Sequence, residues 1–199
     1  VADLVLSGEP WRLGLVDTDP QALEVAEGLA RRMVQRRGAA IEVAASTDRC
    51  NLLPGADAVV TTIGVGGRRA WEADVDIPRR HGVFQPVGDT VMAGGISRAL
   101  RMVPAMVAIS EDVVRLAPAA HYINYANPMT VICWAIRQAT AAQVVGLCIG
   151  VHHVQLELAD AAGLPRGETT ALAAGLNHFT WVYDLRHRGA DAWPLVRER

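Results

Sequence analysis

The stretch RLGLVDTDP, residues 12–20, decides the fold class of this chain. Its first five residues are mostly apolar, which predicts a buried β-strand. Asp19 followed by Pro20 is typical of the N-cap and first position of an α-helix. That helix is expected to run to about Arg37, because Gly38 is a residue that readily ends helices. A strand followed at once by a helix is the repeating unit of a parallel sheet.

The alternation of strands and helices continues through most of the chain. Further strands are predicted at residues 41–45, 58–63, 121–124 and 143–147. Further helices are predicted around residues 69–81, 94–116 and 129–141. This alternation predicts an α/β fold with a doubly wound, Rossmann-type parallel sheet that helices cover on both faces.

The pattern changes after Cys148, where we expect a domain boundary. A helix over 154–162 and an alternating strand over 179–188 predict the start of a second domain of mixed α and β structure. Residues 1–147 are then a nucleotide-binding domain and residues 148–199 the start of the second domain. The central first strand and Gly-rich turn of a nucleotide fold are not found, since residues 1–7 predict the end of a helix. The chain is therefore expected to be a fragment of a longer protein.

Composition bounds the classes of function. The chain has 199 residues, 51% of them hydrophobic, and a formal net charge of −2 with acids and bases intermixed. Neither a nucleic-acid surface nor a basic membrane patch is expected. All 19 basic residues are Arg, which excludes a Schiff-base lysine and a Walker-type phosphate lysine. Three scattered cysteines, Cys50, Cys133 and Cys148, are typical of a reducing cytoplasm, so a cytoplasmic protein is expected.

Polar residues and glycines at strand ends are the candidates for binding a nucleotide. Asp17 ends the strand of 12–16, where a carboxylate can accept hydrogen bonds from ribose hydroxyls, or it is an ordinary turn residue. Gly64 and Val65 follow the strand of 58–63, where glycine allows a cofactor to approach the backbone, or simply forms a turn. Asn124 ends the strand of 121–124, either against the cofactor or as a turn residue.

A thiol and an imidazole suggest a metal site near the expected domain boundary. Cys148 follows the strand of 143–147, and His178 comes thirty residues later, after Asn177. Thiolate and imidazole both bind borderline-soft divalent metals, although a lone Cys is more often a small core residue. Asn127 precedes Pro128 in an Asn-Pro turn. Its side-chain amide faces a substrate, or the Asn-Pro pair only begins the next helix, whose first turn can hold Pro. A metal beside a dinucleotide suggests redox chemistry on a hydroxyl group.

Eight segments, in order, resemble glycoside hydrolase family 4, the NAD- and manganese-dependent glycosidases. They are LVDTD (15–19), VGG (65–67), IPRRHGVFQ (77–85), GDT (88–90), GGISRALR (94–101), NYANPM (124–129), VGLC (145–148) and GLNHFTW (175–181). The resemblance covers nearly the whole chain, which is similar to the first half of such an enzyme. It implies that the second domain is the start of an α+β catalytic domain of the lactate/malate-dehydrogenase type.

The resemblance implies NAD and Mn²⁺, or another divalent metal, as cofactors. It places the two metal ligands on Cys148 and His178, the substrate-binding amide on Asn127 and the ribose-binding acid on Asp17. With Gly64, Val65 and Asn124 on the cofactor and Asn177 on the substrate, these residues form the expected site.

The implied reaction differs from ordinary acid/base glycoside hydrolysis. A hydride passes from C3 of the sugar to NAD, the C2 proton becomes acidic, and the metal stabilises the resulting enolate. The glycosidic oxygen leaves by elimination, water adds, and the hydride returns.

The chain departs from the family pattern at three places. Ile149 stands after the metal-binding Cys, where the family has His or Asp. The acid role is then either empty, with metal and water sufficient, or taken by His152, which is the catalytic residue we expect. The Asp found there in members that take 6-phosphorylated sugars is absent, which predicts a non-phosphorylated hexoside or hexuronide. Trp71 and the pair Asp74-Val75 replace an Arg and an Asp-Glu pair of the family. The tyrosine that removes the C2 proton belongs to the later half of the family's chain.

Two other functions share these features. A 2-hydroxy-acid dehydrogenase of the lactate/malate type has this architecture and an Asn-Pro turn, but it uses a His–Asp pair and no metal. A non-catalytic NAD-binding module is the other alternative, which Ile149 favours. The expected partner is a small-molecule α-glycoside, with neither nucleic acid nor membrane bound, and the expected assembly is a homodimer or homotetramer.

Overall fold

The computed structural model describes residues 1–85 and 89–198 of the chain. Gly88 of the GDT segment lies outside the described residues. Two compact units are present, one made of residues Val1–Val59 and Asp112–Ala120, the other of Val60–Glu111 and His121–Arg199. The domain boundary expected near Cys148 stays a prediction.

The first part of the chain contains five regular elements. They are α1 (Ala2–Ser7), β1 (Trp11–Val16), α2 (Pro20–Arg37), β2 (Ile41–Ser46) and β3 (Ala58–Thr61). The second part begins with the helices α3 (Gly67–Arg80) and α4 (Met92–Leu116), followed by β4 (His121–Asn124), α5 (Met129–Ala139) and β5 (Val144–Gly146). The last elements are α6 (Gly150–Ala162), β6 (Thr169–Leu176), β7 (Phe179–His187), β8 (Ala190–Asp191) and α7 (Trp193–Arg197).

The strand and helix predicted from residues 12–20 are present in the first unit. Asp19 caps α2, its carboxylate accepting from the backbone N–H groups of Gln21 and Ala22. Gly38 ends the helix with φ of 66°, a left-handed conformation that glycine adopts without steric cost. β1 and β2 are parallel, with Trp11 opposite Ile41. The prediction of both element types, and of their order, is confirmed.

Strand β1 is more exposed than the sequence predicts. Its buried side is limited to Leu13 and Leu15, which pack against the core formed by Val5, Ala30, Ile41 and Val43. Arg12, Gly14 and Val16 are exposed. Among the described strands, β1 has one hydrogen-bonded neighbour, β2. The apolar run therefore forms an edge strand whose side chains are only partly buried.

The second unit contains a parallel sheet and an antiparallel one. The first has the strand order β3-β4-β5, with β4 and β5 parallel. Its core is formed by helices α4 and α5, whose Met102, Met106, Ile132 and Ile136 are fully buried. The second sheet, β6-β7-β8, is antiparallel and packs against α6. The mixed α/β architecture with parallel sheets confirms the predicted fold class.

Two helices begin earlier than expected. α4 begins at Met92 instead of Gly94, so both glycines of GGISRALR lie inside its first turn. A Cβ on Gly95 would come within 2.6 Å of the backbone carbonyl oxygen of Thr90, which explains the glycine there. α6 begins at Gly150 instead of Val154, so His152 and His153 lie in its first turn.

Helix α4 is also long and apolar enough, by length and composition alone, to cross a membrane. The core helices of soluble proteins meet the same criteria.

Candidate active site

Cys148 and His178 face each other in the second unit. Cys148 lies between β5 and α6, and its Sγ is 3.9 Å from Nε2 of His178. Structural zinc sites place the metal about 2.3 Å from sulfur and about 2.1 Å from nitrogen, so these two bonds together exceed the observed gap. One divalent ion can therefore contact both atoms. The described residues contain no cluster of three or more His, Cys, Asp or Glu side chains, so this donor pair leaves coordination positions for oxygen ligands.

Backbone contacts hold the thiol in place. The N–H of Gly150 donates to Cys148 Sγ at 3.3 Å. A Cβ on Gly150 would come within 3.4 Å of the same sulfur. Between them, Ile149 is 74% exposed. The residue that replaces the family's His or Asp is thus an apolar side chain at the surface, beside the sulfur.

The imidazole sits at the tip of a tight turn between β6 and β7. His178 has φ of 60°, a left-handed conformation that few non-glycine residues adopt. The N–H of Asn177 donates to Thr130 Oγ1 at 3.1 Å. This hydrogen bond connects the turn to helix α5. A Cβ on Gly175 would come within 2.4 Å of the Phe179 carbonyl oxygen, so only glycine allows the strands to approach this closely.

Asn177 also carries an unsatisfied acceptor. Its Oδ1 is buried and has no hydrogen-bond partner among the described residues. Buried polar atoms of native proteins nearly always have a partner. A hydroxyl of a bound ligand is a donor that can satisfy this oxygen next to the metal pair.

Asn124 is the last residue of β4. Its side chain is fully buried, and Oδ1 accepts from the Thr61 hydroxyl and the Ala126 N–H, each at 3.0 Å. Its Nδ2 donates to the carbonyl oxygen of Ala126 at 3.0 Å. The amide therefore fixes the shape of the loop that carries Asn127. A cofactor contact of Asn124 stays a prediction.

Asn127 is held by two residues that the sequence analysis did not connect to it. Its Nδ2 donates to Asp89 Oδ2 at 3.3 Å, and its carbonyl accepts from Arg98 Nε at 3.0 Å. The Asn127–Pro128 peptide bond is cis. The sequence carries no signal for these contacts, because Asp89 and Arg98 are about thirty to forty residues away along the chain.

The glycine segment after β3 forms a turn into α3. Gly66 and Gly67 have φ of 84° and 58°. The N–H of Val65 donates to Met102 sulfur at 3.3 Å, so it is used within the protein, whereas Gly64 is exposed. The turn thus presents Gly64 rather than Val65 to an incoming molecule, and the predicted cofactor contacts of both stay predictions.

An ion pair links α3 to α4 close to this turn. Arg101 donates to both carboxylate oxygens of Asp74, at 3.0 and 2.6 Å. Asp74 is only 4% exposed. These hydrogen bonds, together with the charge of Asp74, raise the pKa of Arg101 above its ordinary value. The Asp that remains from the family's Asp-Glu pair is therefore buried and paired within the protein.

The remaining predicted residues are at the surface. His152 is exposed in the first turn of α6, next to the exposed His153. Asp17 belongs to the first unit, where it follows β1 and its Oδ1 accepts from the Asp19 N–H at 2.9 Å. The acid role of His152 and the ribose role of Asp17 stay predictions.

The chain is similar to several known glycosidases. It is 36% identical over 176 residues to an α-galactosidase of Rhizobium meliloti strain 1021, which covers 88% of this chain and 36% of that protein. It is 30% identical over 190 residues to an α-galactosidase of Bacillus subtilis strain 168, covering 95% of this chain and 44% of that protein. An α-galacturonidase of the same Bacillus strain is 36% identical over 154 residues, 73% of this chain and 34% of that protein.

Solved structures share the fold. The lplD protein of Bacillus subtilis superposes with a TM-score of 0.88 at 30% identity, covering 99% of this chain and 47% of that one. A 6-phospho-α-glucosidase from gut microorganisms, in complex with NAD and Mn²⁺, has a TM-score of 0.88 at 18% identity over 99% of this chain and 47% of that one. Lactate dehydrogenase from Eimeria maxima has a TM-score of 0.71 at 15% identity, covering 99% of this chain and 56% of that one.

These proteins are longer than the chain, which spans between a third and a half of the length of the glycosidases above. The model of the family 4 glycosyl hydrolases matches residues 6–164, well over half of the chain. This chain therefore belongs to family 4 of the glycosyl hydrolases.

Proposed function

We propose that the protein carrying this chain is an α-glycosidase that depends on NAD and a divalent metal, most simply Mn²⁺. Its substrate is a non-phosphorylated hexoside or hexuronide, whose O-glycosyl bond it hydrolyses. The observation that carries the proposal is the Cys148–His178 pair, with its 3.9 Å gap, in a chain of this family.

Oxygen ligands of the substrate complete the metal site in this proposal. Cys148 and His178 would hold the ion through a thiolate and an imidazole, and the bound ion would supply Lewis acidity to oxygen atoms of the sugar. The metal and NAD, when bound, supply a Lewis acid and a hydride acceptor. A donor set made of two protein side chains fits this arrangement, because a closed four-ligand site would exclude the sugar.

The other residues bind and orient the substrate and the cofactor. Asn127 presents its side-chain oxygen to a sugar hydroxyl, since its Nδ2 already donates to Asp89. Asn177 accepts a second hydroxyl through its unsatisfied Oδ1. Contacts to NAD come from Asp17 at the ribose and from Gly64, Val65 and Asn124 near the strand ends. These assignments place two amide oxygens on the sugar, both able to accept a hydrogen bond.

Proton donation to the leaving group falls to His152. Ile149 has no proton to give, and His152 is the next titratable side chain after Cys148, exposed in the first turn of α6. An imidazole near neutral pH is a suitable general acid.

The protein is proposed to act in the cytoplasm on a small-molecule glycoside, as a homodimer or homotetramer. The intermixed surface charge and the three free cysteines, Cys50, Cys133 and Cys148, support this setting. The α-configuration of the substrate follows the names of the related α-galactosidases and α-galacturonidases.

The test is turnover of 4-nitrophenyl α-glycosides by the full-length protein. Release of nitrophenol that requires both NAD⁺ and Mn²⁺, and that returns after chelated enzyme is resupplied with Mn²⁺, is the expected result. Full activity after exhaustive removal of both would overturn the proposal. Net reduction of NAD⁺ by a 2-hydroxy acid without metal would instead identify a lactate/malate-type dehydrogenase. Binding of NAD without any turnover would identify a non-catalytic module.

A further inference from the structure

A groove in the second unit lies next to Asn127. It has a volume of about 500 Å³ and is lined by Gly64, Gly67, Arg68, Trp71 and Arg98. A volume of this order is typical of small-molecule sites. Arg98 connects the groove to the candidate active site, because its Nε donates to the Asn127 carbonyl at 3.0 Å. Arg98 therefore both lines the groove and contacts the loop that carries Asn127.

Arg98 is a half-buried cation that has no acidic partner among the described residues. None of the described carboxylates forms an ion pair with it, and its terminal Nη2 lies beside Gly64, within 3.4 Å of where a Cβ on that residue would be. Its neighbour one turn along α4 differs sharply, since Arg101 is fully paired with Asp74. Because Nε is used by Asn127, the terminal amino groups remain to bind an anion in the groove.

The other lining residues add charge and an apolar surface. Arg68 pairs with Glu72 at 2.8 Å, but both side chains are largely exposed, so solvent screens that interaction. Trp71 is 37% exposed and presents part of its indole ring. The groove therefore combines a net positive charge with a flat apolar wall, which suits the face of a pyranose ring that carries an acid group.

We propose that Arg98 is a specificity-determining residue that binds the carboxylate of a hexuronide, while the sugar ring packs on Trp71. The proposal rests on the proposed function and narrows its substrate to a uronic acid glycoside. Two terminal N–H groups of a guanidinium form parallel hydrogen bonds to the two oxygens of a carboxylate. A neutral hexoside offers a hydroxymethyl group there and leaves this cation without a counter-charge.

The first test compares substrates in the full-length enzyme loaded with NAD⁺ and Mn²⁺. The readout is the ratio of kcat/KM for 4-nitrophenyl α-galacturonide to that for 4-nitrophenyl α-galactoside. Arg98→Gln should lower this ratio roughly 10- to 100-fold, the range for a hydrogen bond to a charged group. Loss of the bond from Nε to Asn127 affects both substrates alike and cancels in the ratio. Arg98→Lys keeps the positive charge but cannot form the two parallel hydrogen bonds of a guanidinium, so an intermediate ratio is expected.

Arg69→Gln is the matched control. Arg69 is exposed on α3, next to Arg68 in the sequence but outside the groove lining. Its replacement removes one positive charge and should leave the galacturonide-to-galactoside ratio of kcat/KM unchanged. An unchanged ratio in Arg98→Gln and Arg98→Lys would overturn the proposal. If Arg98→Gln raises the KM for NAD⁺ instead, the anion that Arg98 binds belongs to the cofactor, and the proposal is wrong.

Calorimetry with free sugars separates this inference from the glycosidase proposal. The wild-type holoenzyme should bind galacturonate more tightly than galactose, and Arg98→Gln should abolish that preference. Selective galacturonate binding without hydrolysis of any glycoside would sink the glycosidase proposal but leave the role of Arg98 standing. Hydrolysis of galactosides with equal binding of the two sugars, or no binding of either, would overturn the role of Arg98.

Discussion

At the residue scale, the unusual chemistry is concentrated around two atoms. Cys148 Sγ and His178 Nε2 are 3.9 Å apart, a buried amide oxygen of Asn177 has no partner among the described residues, and an exposed Ile149 follows the thiol. A second thiol, Cys133, differs in kind. Burial raises the pKa of Cys133, with a weaker opposing effect of the Asn124 amide, so it stays protonated and binds metal poorly.

These two thiols give a direct test of the metal site. Cys148→Ser and His178→Ala in the full-length protein should each weaken Mn²⁺ binding by more than the roughly 10–100-fold that loss of an outer-shell partner costs. Activity should fall in parallel while the circular dichroism spectrum is unchanged. Cys133→Ser is the matched control and should bind Mn²⁺ normally. Equal losses at Cys148 and Cys133 would show that the ligand assignment is wrong.

The leaving-group acid can be tested with two substrates. His152→Ala should slow a disaccharide, which has a poor leaving group, by roughly 10²–10⁴-fold. It should spare a nitrophenyl glycoside, whose leaving group needs no proton. His153→Ala is the control, because His153 is 3.9 Å from Glu157 on the outer surface of α6. The same loss for both substrates in His152→Ala would exclude the acid role.

Sequence analysis finds some residues of the site and cannot find others, for a physical reason. Thiol and imidazole suit divalent metals, and the family resemblance selects Cys148 and His178 among the cysteines and histidines of the chain. Asp89 and Arg98 lie in two of the segments that resemble the family, GDT and GGISRALR, but nothing in the sequence indicates that both contact Asn127. Only the fold brings them within hydrogen-bond distance of Asn127. Contacts between distant segments depend on packing, which a single sequence does not encode locally.

At the element scale, α3 and α4 are joined by a buried ion pair. Asp74→Asn removes one partner of Arg101 and should lower the free energy of unfolding by about 3–5 kcal/mol, since breaking a buried pair leaves a charge uncompensated. Urea denaturation measures this difference. Glu72→Gln is the matched control on the same helix. Its pair with Arg68 is exposed, so the expected loss is under about 1 kcal/mol. Similar losses for both variants would mean that the buried pair adds no more than a surface pair does.

A second ion pair joins Glu168, just before β6, to Arg188, just after β7. It should make the stability of the antiparallel sheet sensitive to acid. Arg188 and then His187 lower the pKa of Glu168 below its ordinary value through hydrogen bonds. A lowered folded-state pKa adds stability above the unfolded-state pKa of about 4.5, and that stability is lost as the pH falls through the folded-state value. Glu168→Gln should therefore reduce the melting temperature at pH 7 and converge with the wild type near pH 3. Glu24→Gln, at an exposed position of α2, should show no such convergence. A gap that stays constant with pH would contradict this account.

Two elements differed from expectation because their sequences are ambiguous. β6 has the sequence TTALAAGL, whose Ala and Leu suit a helix as well as a strand, and the sequence analysis did not assign it. The hydrogen bonds with β7 decide its conformation, since strand propensity depends strongly on tertiary context. Helix α4 begins at Met92, and the glycine at position 95 allows its first turn to lie close to the Thr90 backbone.

At the scale of the whole molecule, the alternation of strands and helices was sufficient to predict an α/β fold with parallel sheets. It was not sufficient to predict how the strands divide among sheets. Among the described strands, β1 and β2 form one sheet, and β3, β4 and β5 form another. Strand order is determined by which edges meet, and hydrophobic periodicity carries no information on that choice.

Metal binding should also be visible in the stability of the whole protein. An ion between Cys148 and His178 joins the end of a parallel strand to a hairpin turn 30 residues later. At a metal concentration 100 times Kd, binding to the folded state alone adds about 2.7 kcal/mol. Thermal unfolding of the full-length protein should shift upward with Mn²⁺ but not with Mg²⁺, which prefers oxygen ligands. The double variant Cys148→Ser/His178→Ala should show no shift, and a shift of wild-type size in that variant would place the bound ion elsewhere.

The left-handed backbone of His178 sets chemistry against stability at a single position. His178 has φ of 60°, which glycine adopts without steric strain. A non-glycine residue in this conformation lowers the stability of the fold by on the order of 1–3 kcal/mol. His178→Gly should therefore melt at a higher temperature than His178→Ala while neither binds the ion. Selection for stability alone would drive histidine out of this turn. A lineage that had lost the need for the metal should accordingly accumulate glycine or asparagine here before any other residue of the site decays.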